Sequence, residues 1–209
     1  MVKLYHYSYT KLLFDYFFSI LGLVITSPLF LLIYLLIEIE NNGPVFFIQN
    51  RVGKNGKVFS LIKFRTMRTG SENQRWRYMH INEADGPVFK IVNDPRFTKL
   101  GKFLARCGFD ELPQLFNVIK GEMSLVGPRP FPTYEAKKLK RKDRVRELVK
   151  PGITSSWVIR GAHSLTFKQW MKLDRDYVHN ATLVEDLKIL IKTFIMVIKM
   201  TLNQILGTG

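Results

Sequence analysis

The longest apolar run spans residues 12–37, LLFDYFFSILGLVITSPLFLLIYLLI, and Asp15 is its single formal charge. About 20 apolar residues suffice for a helix to cross a bilayer. The run is too long for a removable signal peptide and lacks a clean small-residue cleavage site after it. Ser27-Pro28 interrupts the pattern near the middle: proline cannot donate to the carbonyl of Val24, and the neighbouring serine hydroxyl can satisfy that group instead. Two topologies fit, a kinked helix that crosses and a re-entrant hairpin that bends at Ser27-Pro28 and leaves on the face it entered. Lys3 and Lys11 precede the run and a basic domain follows it, so both flanks look cytoplasmic. Asp15 and Ser19 share one helical face, which a hairpin would keep near the interface. The pattern favours the re-entrant form, with the membrane element confined to residues 1–40.

Beyond it the periodicity changes. Residues 44–49 and 57–66 are β-rich and joined through Asn55-Gly56, a strong hairpin turn. Residues 70–96 are polar, with turns at Gly86-Pro87 and Asp94-Pro95, and have room for one short helix over 75–80. Phe97, Leu100, Phe103 and Leu104 are helically spaced, Gly108 stops that helix, and a second is predicted from Asp110 to Lys120 with Gly121 after its end. Residues 123–132 read as extended and proline-broken, 133–149 as a basic helix, and 150–157 as a Pro-Gly turn into a strand. Helices over 167–178 and 183–206 close the chain. The broad apolar stripe of the last, from Leu183 to Leu202, suits a protein core and a membrane interface equally. The fold class is α/β in the α+β sense: a domain with a small β-hairpin and several helices, plus the N-terminal re-entrant membrane helix-hairpin.

Charge and composition narrow the partners. The 209 residues include 32 Lys and Arg against 17 Asp and Glu, a formal net charge of +15. Such a surplus points to nucleic acid, an anionic membrane face or a phosphorylated substrate. Cys107 is the only cysteine, which excludes an intramolecular disulfide, and the four histidines lack zinc-site spacing. The cations over 139–150 have no interleaved aromatics on which single-stranded nucleic acid could stack; a polybasic patch on anionic lipid fits the hydrophobic N-terminus better.

Asp110 and Glu111 stand at the predicted start of a helix, where an acidic side chain ordinarily caps. Lys63, Arg65, Arg106 and Arg129 lie in segments whose ends can meet that pair, and the prolines flanking Arg129 restrict its backbone. Guanidinium and ammonium groups grip phosphate oxygens. Carboxylates among them should stay ionised, able to act as a nucleophile or a Mg²⁺ ligand.

Several motifs occur in order: Ser27-Pro28, Lys63-Phe64-Arg65-Thr66-Met67, Asp110-Glu111-Leu112-Pro113-Gln114-Leu115, Ser124-Leu125-Val126-Gly127-Pro128-Arg129-Pro130 and Lys150-Pro151-Gly152-Ile153-Thr154. Together they resemble the bacterial sugar transferase family, in particular its minimal monotopic phosphoglycosyl transferases, over nearly the whole chain. The resemblance implies a catalytic domain over 41–209 with interfacial amphipathic helices, on the cytoplasmic face of the bacterial inner membrane. It implies transfer of a sugar-1-phosphate from a UDP-sugar to undecaprenyl phosphate, with release of UMP, as the first membrane step in making a polysaccharide such as a capsule, exopolysaccharide or lipopolysaccharide. By the same resemblance Asp110 is the nucleophile that becomes a phospho-sugar ester, Asp110 and Glu111 hold Mg²⁺, and Lys63, Arg106 and Arg129 bind phosphate oxygens. Nucleic acid is not an expected partner; a homodimer is compatible with the pattern.

Two stretches depart from the family. Ser155-Ser156-Trp157-Val158-Ile159-Arg160-Gly161-Ala162 stands where many relatives read Gly-Leu-Trp-Gln-Val-Ser-Gly-Arg, so the arginine at Ala162 is missing, with Arg160 and His163 as nearby substitutes. Gly108-Phe109 replaces a small polar and an aliphatic residue before the acidic pair. The alternative classes are a non-catalytic, membrane-anchored basic module binding anionic lipid or nucleic acid, and an inactive scaffold of the same fold. The motifs do not specify the sugar.

Overall fold

Helix α1 (Tyr9–Glu40) runs along the rest of the molecule. At about 1.5 Å per residue it is on the order of 48 Å long, yet both of its halves are docked. Phe14 and Leu23 pack on one core cluster, and Ile33 and Ile37 are buried in a second with Val45, Phe64 and Leu104. The opposite face, including Phe17, Val24, Ile25 and Leu31, is exposed and apolar. The computed structural model describes residues 2–40, 43–161 and 164–207.

The bend expected at Ser27-Pro28 is a proline within one continuous helix, not a break between two. The local chemistry accounts for this. Ser27 Oγ donates to the Val24 carbonyl at 2.8 Å, replacing the bond that Pro28 cannot make, and Thr26 Oγ1 donates to Gly22 O at 2.7 Å.

Lys11, Asp15 and Ser19 are buried against the domain. Lys11 Nζ lies 3.1 Å from Asp15 and 2.5 Å from Asp186, whose other oxygen accepts from the Tyr177 hydroxyl at 2.8 Å. Ser124 Oγ and the Leu125 N–H also donate to Asp15. The charges in the N-terminal third of α1 therefore tie it to the domain.

Strands β1 (Phe46–Val52) and β2 (Val58–Phe64) form the predicted antiparallel hairpin, with Phe47 opposite Lys63 and Arg51 opposite Phe59. Asn55 and Gly56 both take positive φ, 56° and 74°, as a tight turn between right-twisted strands requires. A 3₁₀ segment (Ser71–Ile81) replaces the shorter helix expected in the polar stretch. Helix α2 (Lys99–Cys107) is capped by Thr98 and ends at Gly108, φ 76°. The helix predicted from Asp110 is a 3₁₀ turn (Phe109–Glu111) followed by α3 (Gln114–Ile119), because Pro113 supplies no N–H to continue the turn.

Strand β3 (Ser124–Val126) pairs in parallel with β4 (Gly152–Thr154). A side chain at Gly152 would collide with the backbone of Gly127, so the two segments cross as closely as only glycine permits. The basic helix expected over 133–149 is instead a short α4 (Thr133–Ala136) and a 3₁₀ segment (Arg141–Leu148). Like charges three and four residues apart disfavour a continuous helix there, and Asp143 and Arg146 turn inward, Asp143 to half-buried Arg175 and Arg146 to buried Asp174. Helices α5 (Ser156–Ile159), α6 (Phe167–Asn180) and α7 (Leu183–Leu206) complete the chain. The α7 stripe is not core: Leu187, Ile191, Phe194, Ile195, Ile198 and Leu202 are exposed, and Asp186 and Ile189 face inward.

Candidate functional site

The acidic pair lies where the 3₁₀ turn before α3 meets β2 and the Gly127–Pro130 loop. Asp110 is buried and makes no side-chain capping bond, so the capping role is not the one it fills. Lys63 Nζ stands 3.8 Å from Asp110 Oδ2, and Arg129 Nη1 donates to Glu111 Oε1 at 2.7 Å. Each carboxylate thus has its own cation. Beside them a cleft is lined by Arg51, Leu61, Lys63, Glu111, Gln114, Arg129 and Pro130.

Local structure explains the convergence. Arg51, Leu61 and Lys63 share a hairpin face through the period of two. Asn117, buried in α3, fastens that hairpin to the acidic turn: its Oδ1 accepts from Ile62 N at 3.1 Å, and its Nδ2 donates to Ser60 O at 2.8 Å and to Glu122 at 2.7 Å. The loop carrying Arg129 has each of four successive carbonyls held. Pro128 O accepts from Gly152 N, Arg129 O from the Arg146 guanidinium, Pro130 O from Arg51 Nη1 at 2.9 Å and Phe131 O from Val52 N at 2.9 Å. Arg146 also lies over the Phe131 ring, 3.7 Å from its centroid, and pairs with buried Asp174 at 3.1 Å.

Burial and the surrounding cations act on Asp110 in opposite directions. Burial raises Asp110 to about 6, against the opposing pull of Lys63 and Arg129. It remains mostly ionised at neutral pH, as a stronger base than an ordinary carboxylate. Burial lowers Lys63, opposed by Asp110, and lowers Arg51 to about 10 with help from neighbouring Arg129. Lys90 falls to about 8, through burial and the same Arg129. The cleft is therefore crowded with positive charge.

Not every predicted cation joins it. Arg65 Nε donates to Pro44 O at 2.7 Å, and its guanidinium lies over Phe47. Arg106 donates to Asn93 and Gln204, facing α7. Ser27 and Pro28 lie in α1. Gly108 and Phe109 have structural tasks, the first as the left-handed turn after α2 and the second packing near Phe103. Ser155 caps α5 and Arg160 is exposed; Ala162 and His163 lie outside the described residues. Among the described residues no cluster of three or more His, Cys, Asp or Glu gathers, so Asp110 and Glu111 alone are the carboxylates available to a cation here. Arg51, Asn117 and Arg146 lie in none of the motifs, and Gln114 stands in one without a role of its own; for Arg51, counting by twos along the paired strands from Lys63 reaches it.

Residues 6–200 match the profile described as bacterial sugar transferase. The chain is 40% identical over its full length to a galactosyl transferase, CpsE, of Streptococcus agalactiae, of which it spans 45%. It is 37% identical over 88% of its length to the exopolysaccharide production protein ExoY of Sinorhizobium fredii, covering 83% of that protein. It is 38% identical over 91% of its length to the undecaprenyl-phosphate galactose phosphotransferase of Salmonella typhimurium, spanning 41% of it.

Proposed function

Since the chain belongs to the bacterial sugar transferase family, we propose that it moves a sugar-1-phosphate from a UDP-sugar to undecaprenyl phosphate, through a phospho-sugar ester on Asp110. The observation that carries this reading is geometric: a buried carboxylate, Asp110, stands 3.8 Å from Lys63 beside a cleft lined by Lys63, Glu111, Arg51 and Arg129. In the first step an Asp110 oxygen forms a bond to the sugar-bearing phosphorus, and the bond from that phosphorus to the bridging oxygen breaks. UMP leaves with the electron pair. In the second, an oxygen of the lipid phosphate bonds to the same phosphorus and Asp110 departs as a carboxylate, leaving a lipid diphospho-sugar. Phosphoryl transfer depends chiefly on positioning and charge stabilisation, and the ordered cations supply both. Glu111, tied to Arg129, fixes that guanidinium beside the reacting group.

The two carboxylates suit Mg²⁺, which usually takes one or two carboxylates together with substrate phosphates and water. Asp110 and Glu111 would hold it, and bound there it neutralises diphosphate charge.

The membrane reading is a re-entrant α1, kinked at Pro28 without interrupting the helix, on a cytoplasmic-face domain of the inner membrane. Docking of both halves of α1 on one domain supports it, because a crossing helix would carry one half away. The exposed apolar faces of α1 and α7 supply an immersed surface, and exposed Lys137, Lys138, Lys140, Arg141 and Lys142 suit anionic headgroups.

The relatives' names make UDP-galactose and UDP-N-acetylgalactosamine the first donors to try. Membranes holding the full chain are incubated with a UDP-sugar panel and undecaprenyl phosphate, and UMP release is measured. Turnover by the wild type, its loss in Asp110→Asn and a sugar-phosphate adduct at position 110 are expected. Normal turnover by Asp110→Asn would sink the mechanism.

A further inference from the structure

Two polar side chains in the cleft have hydrogen-bonding capacity that the fold leaves unused. Gln114 is 3% exposed and lines the cleft with Lys63 and Glu111, where its carboxamide makes no hydrogen bond to the described residues and keeps contact with solvent. Asn117, the other buried carboxamide of α3, makes three. Arg51 is anchored through Nη1 on Pro130 O, while its Nε is buried with no partner. Burying a polar group without a partner costs folding free energy, and native proteins retain few such groups. Methionine would fill the place of Gln114 as well, since no described residue uses its carboxamide. A residue kept at such a position is explained by a partner that arrives with the ligand.

We infer that Gln114 and Arg51 contact substrate, Arg51 holding an oxygen of the donor diphosphate and Gln114 a hydroxyl on the sugar beside its phosphate. The two roles follow from the two groups. A guanidinium only donates, and its charge matches a phosphate oxygen; the part of Arg51 that lines the cleft makes this contact, not the buried Nε. A carboxamide both donates and accepts, a capacity that a hydroxyl uses fully and a phosphate does not. Position agrees: Gln114 follows Asp110 by one helical turn of sequence, whereas Arg51 reaches the cleft from β1 beside Arg129. The inference rests on the transfer reaction proposed above and adds the contact that reads the sugar. A site built to bond a hydroxyl discriminates strongly against an analogue lacking it.

The test uses the full chain with its active donor, with UMP as inhibitor, and the variants Gln114→Met and Arg51→Lys. For Gln114→Met, kcat/KM for the donor falls about tenfold, the loss of one hydrogen bond to a ligand. Its Tm equals or exceeds that of the wild type, and UMP inhibits it as before, because UMP carries no sugar. Arg51→Lys weakens UMP inhibition and donor use together. A Gln114→Met enzyme with wild-type kcat/KM, or one whose UMP inhibition weakens in step with kcat/KM, overturns the assignment of Gln114. Unchanged UMP inhibition in Arg51→Lys overturns that of Arg51. If the wild type transfers sugar phosphate and Asp110→Asn does not, such results count against this inference alone; an inactive wild type removes the underlying reaction and the inference with it.

Discussion

The Arg146 guanidinium donates to the main-chain carbonyl of Arg129, the residue whose own guanidinium holds Glu111. One buried arginine thus positions another, and Asp174 neutralises the first from α6. Removing Arg146 leaves Asp174 buried without its cation, and breaking such a pair costs about 3–5 kcal/mol. Arg146→Met should therefore lower the urea midpoint strongly and reduce kcat/KM as well. Combining it with Asp174→Asn removes the orphaned charge, so stability should recover while activity stays low. Parallel recovery of both in the double variant would show that Arg146 acts on folding alone.

Asp174 also sets a pH dependence of stability. Burial raises its pKa from the ordinary 3.8 to about 6, despite the pull of Arg146. Between those values the folded protein binds more protons at this site than the unfolded chain does, so the contribution to stability falls as pH rises. It is fully present below about 4 and lost above about 6, with a total change of up to roughly 3 kcal/mol. Urea unfolding of wild type and Asp174→Asn from pH 4 to 7 isolates it. Relative to the variant, the wild type should lose stability as pH rises; a constant difference would contradict the assignment.

What the sequence disclosed divides along physical lines. The hairpin was legible because Asn55-Gly56 fixes a local turn, and so was the meeting of Lys63 and Arg129 with the acidic pair, through contiguous motifs. Arg65 and Arg106 were grouped with them by proximity in sequence, yet a side chain's direction depends on which neighbour the fold presents. Pro44 captures one, and Gln204, nearly a hundred residues later, captures the other. The basic segment 133–149 has composition suited to a helix, but the inward demands of Asp143 and Arg146 override it. Gln114 and Asn117 look alike as polar residues of one helix; only packing separates the one fully bonded from the one facing the cleft.

Asn117 offers a structural control on the site. It joins β2 to α3, and so fixes the distance between Lys63 and Asp110. Asn117→Ala strands the Ile62 N–H and the Ser60 carbonyl, at a cost of about 1–3 kcal/mol. Activity should fall further than the unfolded fraction explains, since Lys63 loses its register against the carboxylate. Thermal unfolding combined with single-turnover UMP release separates the two effects. An Asn117→Ala enzyme that is destabilised but has unaltered single-turnover rate per folded molecule would rule out the positioning role.

The exposed apolar stripe of α7 makes the membrane reading testable without disturbing the core. Phe194 is 68% exposed, whereas Cys107, the only native thiol, is fully buried. A polarity-sensitive maleimide should therefore label Phe194→Cys selectively. On the helical wheel Lys192 lies well away from this stripe, so Lys192→Cys in a second protein reports the polar side of the same helix. Adding anionic vesicles should shift the emission of the probe at position 194 to the blue and leave the probe at 192 nearly unchanged. An interfacial helix buries one face in the acyl boundary and keeps the other in water. Equal shifts at both positions would indicate a helix surrounded by lipid, and no shift at 194 would place the stripe away from the membrane.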